Sequence, residues 1–420
     1  MVPQIDTKPE ALVSPLHASP AEWVHNPLYD PDETVAYPDR YRDRLLIDSI
    51  HGGDIFPDHL SEAVDIHDPI IQDAYVREKD WGAEQVARRL AQKLGLPGIL
   101  RVNVARALLD FGRFPAVSMP GDDHLNRSAI NEPFASYLTH DDRRELLRHC
   151  FDPISSAFEH HVRGKQVKIA IHTYDKLNAA GTRRPLVSLI YRPVSYQHTG
   201  RIPFDVFDRM YPDHLAEFTA DRRLVARISL ELEKQGITVA YNYPYQLPEG
   251  SVEFRSQVWF FFDFLRRQFI DAHPRRVGDP AYEAVWEMLL DTNLRSARSS
   301  MLRSYLHLFR LVQPHLEAQY KQIRTAYEDI ETFMQSHRID RAYRLSPTRP
   351  SSLALEVRKD FVWMFEDDAC RHPIQGLEGA RWDNIELITD ELARAIRIYL
   401  CDDRTPDPGT IPEGRPRRAR

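Results

Sequence analysis

Strand-like apolar runs alternate with amphipathic helical segments through the first 250 residues of this chain. The strand-like runs lie at 41–50, 99–109, 167–171, 185–191 and 237–241, and helical periodicity lies at 81–94, 141–162 and 222–235. A strand, a helix and a further strand in succession are typical of parallel sheets with crossover helices. We therefore predict an α/β fold in which a mostly parallel twisted sheet is flanked by helices.

Long helical segments replace this alternation after residue 250. Apolar residues recur at helical spacing in four of them, at 252–269, 282–289, 295–311 and 314–336. We interpret 251–345 as a helical insertion that serves as a cap or as a surface for self-association into a homo-oligomer. The strand and helix pattern returns afterwards, so the predicted catalytic domain comprises 41–250 and 346–401.

The remaining segments and the composition restrict the functional class. Residues 1–40 are predicted to form an extended arm, and the Pro- and Arg-rich residues 402–420 a disordered tail. A net charge of −7 argues against nucleic acid and anionic membranes as main partners. Three widely spaced cysteines suggest no disulfide framework and fit a cytoplasmic location, and we find no long apolar run that predicts a membrane span.

Polar residues follow several predicted strands at the point where each strand ends. His51 ends the first strand and is followed by Gly52-Gly53, which permits a tight turn and close approach of a ligand. Three further strands end in the same way, at His172, Arg192 and Asn242. The carboxyl edge of such a sheet is where α/β proteins place their active sites, although polar residues are also ordinary wherever strands enter loops.

Six segments in order resemble motifs of the N-formylglutamate amidohydrolase family. They are HGGDIFP at 51–57, KDWGAEQVARRLAQKLG at 79–95, ARALLDFGR at 105–113, IAIHTYD at 169–175, ITVAYNYPY at 237–245 and LALEVRKDFV at 353–362. This chain departs from the family pattern at Ser155, where the family has a histidine, and at Gly112, where it has an asparagine. The resemblance covers roughly 45–245 and 350–400, and it implies a zinc-dependent hydrolase on a phosphorylase/hydrolase-like α/β fold.

The predicted metal ligands are His51, Asp80 and His172, with one zinc ion expected per chain. Two histidines and a carboxylate, with a fourth position open to water, form a common catalytic zinc site. Asp54 is an alternative to Asp80, because His51 and Asp54 could chelate from one turn. Asp80 also stands where a helix N-cap is expected, and His172 could be a core histidine bonded to a carbonyl group.

Glu356 is the predicted general base, because a carboxylate in an apolar strand should have a raised pKa. The alternative is a buried ion pair with an arginine such as Arg358. Arg113 is predicted to stabilise the developing oxyanion or to bind a substrate carboxylate. The other predicted substrate-binding residues are Arg106, Arg192, Asn242 and Arg358; for the arginines the alternative is a structural salt bridge, and for Asn242 a turn.

These residues predict an amidohydrolase that removes a formyl or similar small acyl group from an N-acyl amino acid by attack of zinc-bound water. The expected substrate is a small amide that carries a carboxylate. The departures at Gly112 and Ser155 and the helical insertion favour a second candidate, a metallo-carboxypeptidase or peptide-tailoring hydrolase. A third candidate is a non-catalytic interaction protein on the same scaffold, supported by the missing histidine at Ser155.

Overall fold

The computed structural model describes residues 19–27, 43–115, 128–178, 180–201, 207–308 and 314–401. The predicted tail and most of the predicted N-terminal arm lie outside these ranges. Seven strands are found in the described residues: β1 (Ala21–His25), β2 (Leu45–Ser49), β3 (Gly98–Val102), β4 (Val167–Tyr174), β5 (Val187–Ile190), β6 (Val239–Tyr241) and β7 (Ser351–Arg358). Strand β1, within the segment that we interpret as an arm, was not anticipated as part of the sheet.

Helices account for much of the remaining described chain. The α-helices are α1 (Pro69–Glu78), α2 (Ala83–Lys93), α3 (Phe134–Tyr137), α4 (His140–Leu146), α5 (Asp152–Val162), α6 (Val194–Thr199), α7 (Arg222–Lys234), α8 (Val252–Ala272), α9 (Pro280–Leu290), α10 (Ala297–Leu308), α11 (Glu317–Ser336), α12 (Ile339–Leu345), α13 (Lys359–Val362) and α14 (Trp382–Cys401). Short 3₁₀ turns lie at Asp58–Leu60, Asp213–Glu217, Pro274–Arg276, Pro314–Leu316 and Leu377–Gly379.

The strands form one mixed sheet in the order β1-β3-β2-β4-β7-β5-β6. Neighbouring strands are parallel except for the pairs β1–β3 and β5–β7. The prediction of an α/β fold with a mostly parallel sheet and flanking helices is confirmed. The three central strands, β2, β4 and β7, all run in one direction, so their carboxyl ends meet at one edge.

The two faces of the sheet differ in chemistry. One face is apolar and packs under α2, α7 and α14 in a single hydrophobic cluster. The other face lies under α5 and α8, and its centre carries buried polar side chains: Asp48, Lys168, His172, Ser352 and Glu356. Because side chains alternate along a strand, the residues of β4 and β7 that share this face are an even number of positions apart. The polar face therefore carries the candidate chemistry.

The helices between β6 and β7 share the hydrophobic cluster of the polar face. Phe254 and Phe261 of α8, Trp286 of α9, Ile330 of α11 and Tyr343 of α12 are all buried in that cluster. Its sheet members include residues of β2 and β3. This helical layer therefore packs as a continuation of the sheet's own core.

Three local features differ from the sequence interpretation. Strand β4 continues past His172 to Tyr174, because it pairs with β7 as far as Tyr174 opposite Arg358. The helical segment predicted at 141–162, in which a break at Pro153 was expected, has no such break. A π-helical turn at Leu147–Phe151 precedes α5, and Pro153 lies in the first turn of α5, where its missing N–H is tolerated. Helix α2 is capped by Gly82 and not by the side chain of Asp80, which turns toward the sheet.

No helix in the described part of the chain is both long enough and apolar enough to cross a membrane.

Candidate active site

Three candidate ligand atoms converge beyond the carboxyl ends of β2 and β4. The Nδ1 atoms of His51 and His172 are 3.0 Å apart, and Asp80 Oδ2 lies 3.3 Å from the first and 3.1 Å from the second. All three side chains are buried, with at most 8% of each exposed. The structure therefore brings together the three predicted metal ligands.

The local fold explains how these side chains meet. His51 follows β2, and its carbonyl oxygen accepts a hydrogen bond from the backbone N–H of Asp80, which fixes the approach to α2. Gly53 is required after it, because a Cβ there would lie 2.3 Å from the carbonyl oxygen of Asn103. His172 projects from β4 toward both. Each ligand thus comes from a different part of the core.

The distances between these atoms suit a divalent metal ion. In a tetrahedral zinc site with bonds of about 2.0–2.1 Å, neighbouring ligand atoms are about 3.3 Å apart. The observed separations of 3.0–3.3 Å match this value closely. Two Nδ1 atoms that face each other also need a proton or a cation between them, since two lone pairs repel. The donor set therefore fits the metal that the sequence implies.

Asp110 orients His51 from the side opposite the candidate metal position. Its Oδ1 lies 2.9 Å from His51 Nε2, so the imidazole donates Nε2–H to the carboxylate and keeps Nδ1 free as a ligand. The backbone N–H of Gly112 donates to the same oxygen at 2.8 Å. A Cβ at Gly112 would lie 3.0 Å from this oxygen, which accounts for a small residue beside the histidine.

Arg106 fixes the carboxylate of Asp80. Its Nη1 donates to Oδ1 at 3.0 Å, which leaves Oδ2 facing the two histidines. Burial opposes ionisation of Asp80, but Arg106 and the hydrogen bonds from His172 and His51 outweigh it and hold the pKa of Asp80 below its usual range. Burial likewise opposes the charge of Asp110, and His51 and Arg106 lower its pKa. Both carboxylates are therefore anionic at neutral pH.

The surroundings of His172 favour a positive charge on its imidazole. Burial acts against protonation of the imidazole, but the hydrogen bond to Asp80 and the negative charge of Glu356 raise the pKa of His172 to about 9. The acidic groups beside the imidazole, Asp80 and Glu356, are the cause of this shift. A bound cation would occupy the same electrostatic position as that proton.

Glu356 lies beside this cluster on β7, directly opposite His172 in the strand register. It is 7% exposed, and its Oε2 has no hydrogen-bond partner among the described residues. Burial raises its pKa, against the charge of His172 and a hydrogen bond from Tyr245. A carboxylate with a raised pKa and a free oxygen can accept a proton and return it.

A pocket of about 440 Å³ opens onto the cluster. Its walls include His51, His172 and Glu356, and two of the predicted arginines, Arg106 and Arg113. Arg113 is held only loosely, with Nε 3.6 Å from Asp110 Oδ2. Its guanidinium is therefore able to meet an anionic group in the pocket.

Three predicted substrate-binding residues do not line this pocket. Arg192 reaches Gln197 at 3.2 Å, and the side chain of Asn242 accepts hydrogen bonds from the backbone N–H groups of Tyr191 and Arg192. Asn242 has a φ of +52°, so it shapes a turn, as the alternative interpretation held. Arg358 shares a face of β7 with Glu356, but its guanidinium lies 2.5 Å from Asp360 and donates to the carbonyl oxygen of Arg184.

Asp54, the alternative ligand, faces away from the cluster. Its carboxylate accepts hydrogen bonds from Tyr75 and Lys79 and lies 3.3 Å from Arg101 Nη2. These partners occupy its oxygens outside the pocket. The described contacts therefore favour Asp80 as the carboxylate ligand.

Sequence reasoning did not identify two residues of this site, Asp110 and Tyr245. Asp110 lies between the two predicted arginines Arg106 and Arg113 in RALLDFGR at 106–113, and this position was the available signal. Tyr245 as a whole residue is 42% exposed, but its hydroxyl reaches Glu356. Its position at the end of the NYPY turn was the available signal.

Comparisons with known proteins identify a matching family and two similar crystal structures. The family model described as N-formylglutamate amidohydrolase matches residues 43–273, more than half of the 420 residues. The crystal structure of an N-formylglutamate amidohydrolase from Ralstonia eutropha is 14% identical, covers 91% of this chain and 98% of its own, and superposes with a TM-score of 0.46. The crystal structure of a gene product from Agrobacterium tumefaciens is 13% identical in sequence. The match covers 85% of this chain and 90% of that one, with a TM-score of 0.42. Comparison with curated proteins gives no match.

Proposed function

Because this chain belongs to the N-formylglutamate amidohydrolase family, we propose that it is a zinc-dependent hydrolase that acts on linear amide bonds. It removes a formyl or similarly small acyl group from an N-acyl amino acid. The observation that carries this proposal is the convergence of His51, Asp80 and His172 beside the free carboxylate oxygen of Glu356, at the base of one pocket.

The metal would be held by Nδ1 of His51, Oδ2 of Asp80 and Nδ1 of His172. A bound divalent cation polarises a carbonyl group and lowers the pKa of a water molecule. Asp110 keeps the tautomer of His51 that presents Nδ1, and Arg106 keeps Oδ2 of Asp80 turned inward. Each ligand is thus positioned before the metal arrives.

Glu356 transfers the proton. It removes a proton from the attacking water and delivers it to the amide nitrogen as the C–N bond breaks, so that the products are a carboxylic acid and a free amine. Its raised pKa brings it closer to neutrality, where a carboxyl group performs both halves of this transfer more effectively. Tyr245 hydrogen-bonds the carboxylate and restricts its orientation.

The guanidinium of Arg113 binds negative charge on the substrate. Its loose contact with Asp110 leaves N–H groups available for a carboxylate or for the oxyanion that develops during attack. Arg106, in contrast, is bound to Asp80 and serves the ligand set.

The experiment is a hydrolysis assay of N-formyl amino acids beside dipeptides, with zinc supplied, on the wild type and on Glu356→Gln. We expect kcat with the formyl substrates to fall by about 10²–10⁴-fold in Glu356→Gln, while zinc content is unchanged. Glu366→Gln, at an exposed position, is the matched control. Hydrolysis of dipeptides alone would favour the peptide-tailoring alternative, and retained activity in Glu356→Gln would remove it from the mechanism.

A further inference from the structure

The positive charge in the pocket is sufficient for one substrate carboxylate. Among the described residues that line it, the arginines are Arg106 and Arg113. Arg106 is bound to Asp80 at 3.0 Å and lies 3.6 Å from Asp110. Arg113 has only its contact of 3.6 Å with Asp110. One guanidinium therefore remains to bind an anionic ligand.

The carboxylates of the pocket disfavour a second anionic group on the ligand. Glu249 lies in the wall and is 4% exposed, and one of its oxygens accepts the backbone N–H of Ser195 at 2.8 Å. Glu253 also lines the pocket, and its carboxylate oxygen Oε1 lies 2.9 Å from Lys168 Nζ. These acids and Glu356 line the same space, so a second substrate carboxylate would meet like charge and, among the described lining residues, no free cation.

Part of the pocket wall is apolar and preformed. Ile190, Leu247 and Ala354 form a small hydrophobic cluster that is separate from both main cores, and all three line the pocket. Ile190 and Ala354 are opposite each other in the β5–β7 pairing, so the strands fix their positions. Val194 lies next to them, and its backbone N–H donates to the carbonyl oxygen of Leu247 at 2.9 Å.

We propose that the substrate is an N-formyl or similar N-acyl amino acid with a single carboxylate and an apolar side chain. The carboxylate binds Arg113, and the side chain packs against Ile190, Leu247 and Ala354. This inference rests on the proposed function, and it distinguishes this chain from an enzyme that prefers a dicarboxylate such as N-formylglutamate. An apolar wall favours a matching side chain, and it offers no partner to a charged one.

The test is kcat/KM of the zinc-supplied wild type for N-formyl-leucine, N-formyl-methionine and N-formylglutamate. We expect the two apolar substrates to be preferred by at least about tenfold, the scale at which hydrophobic pockets discriminate. Equal or better hydrolysis of N-formylglutamate would overturn the substrate class and leave the proposed function intact. Failure to hydrolyse any of the three would instead contradict the proposed function.

A variant locates the preference on the apolar wall. Val194 is half-buried, so Val194→Arg places a second guanidinium in the pocket, with Val194→Met as the size control. We expect Val194→Arg to shift the leucine-to-glutamate ratio toward glutamate by at least about tenfold, whereas Val194→Met retains the wild-type ratio. An unchanged ratio in folded Val194→Arg would overturn the assignment of this wall. If that variant does not fold, the wild-type comparison still decides the substrate class.

Discussion

Two buried polar clusters lie on the same face of the sheet, and they are neutralised differently. In the first, which we call the closed cluster, Lys168 Nζ lies 2.9 Å from both Asp48 and Glu253, and the lysine and aspartate side chains are fully buried. In the second, the ligand cluster of His51, Asp80 and His172, three donor atoms face one another at 3.0–3.3 Å.

The two clusters differ in where their positive charge comes from. The closed cluster contains an ammonium group between its two acids, so each carboxylate has a cation of the chain beside it. In the ligand cluster, Arg106 binds the outer oxygen of Asp80, and no arginine or lysine nitrogen among the described residues is paired with the inner one. Since buried charge must be paired, this difference supports the proposal that the ligand cluster holds an added cation.

Removal of the lysine of the closed cluster has the largest expected effect on stability. Lys168→Met leaves two buried carboxylates without a cation, so we expect the free energy of unfolding to fall by about 3–5 kcal/mol. Denaturant unfolding measures this, with Lys165→Met as a control at a more exposed position, where we expect a change below about 0.5 kcal/mol. A small effect at Lys168 would show that the closed cluster does not depend on its internal cation.

Asp110 supports the ligand cluster through its contact with His51, and substitution of Asp110 tests this role. Asp110→Asn removes the charge that His51 Nε2–H faces, so we expect zinc affinity to fall by about 10–100-fold. Competition with a chelator measures the affinity. Asp54→Asn is the control, because Asp54 contacts Tyr75 and Lys79 outside the pocket. Equal loss in both variants would contradict the assigned role of Asp110.

The smallest expected effect is a pH dependence in the closed cluster. Burial raises the pKa of Asp48 from 3.8 to about 6, against the charge of Lys168. A pKa that is higher in the folded state gives a contribution to stability that is present below pH 4 and lost as pH rises through 6. The Asp48→Asn variant should lack this loss. The difference between its free energy of unfolding and that of wild type should therefore shift in favour of the variant by roughly 1–2 kcal/mol between pH 5 and pH 8. A difference that is constant with pH would contradict the raised pKa.

The sequence predicted the sheet and the ligand residues for local reasons. The apolar runs that become β2, β4 and β7 are short, and His51 is followed by a double glycine; both are features of adjacent residues in the chain. The order of the strands and the antiparallel edge pairs depend on long-range pairing that periodicity does not contain. Strand β1 was missed for this reason, since it is stabilised by pairing with β3.

The remaining site residues depended on tertiary contacts. Arg358 was predicted to bind substrate, but Asp360 and the carbonyl oxygen of Arg184 occupy its guanidinium. Lys168 appears in the sequence as an ordinary charge in a strand, and only the packing of α8 brings Glu253 to it. The division into domains and self-association through 251–345 stay predictions.

The central claim is that His51, Asp80 and His172 hold one metal ion, and elemental analysis of the purified protein tests it most directly. After zinc is supplied and excess is removed, we expect about one zinc per chain in the wild type and in the control Asp54→Ala. His51→Ala, Asp80→Ala and His172→Ala should each lose it, since removing one of three protein ligands opens the site. Absence of zinc from the wild type, or its retention in Asp80→Ala with loss in Asp54→Ala, would contradict the account.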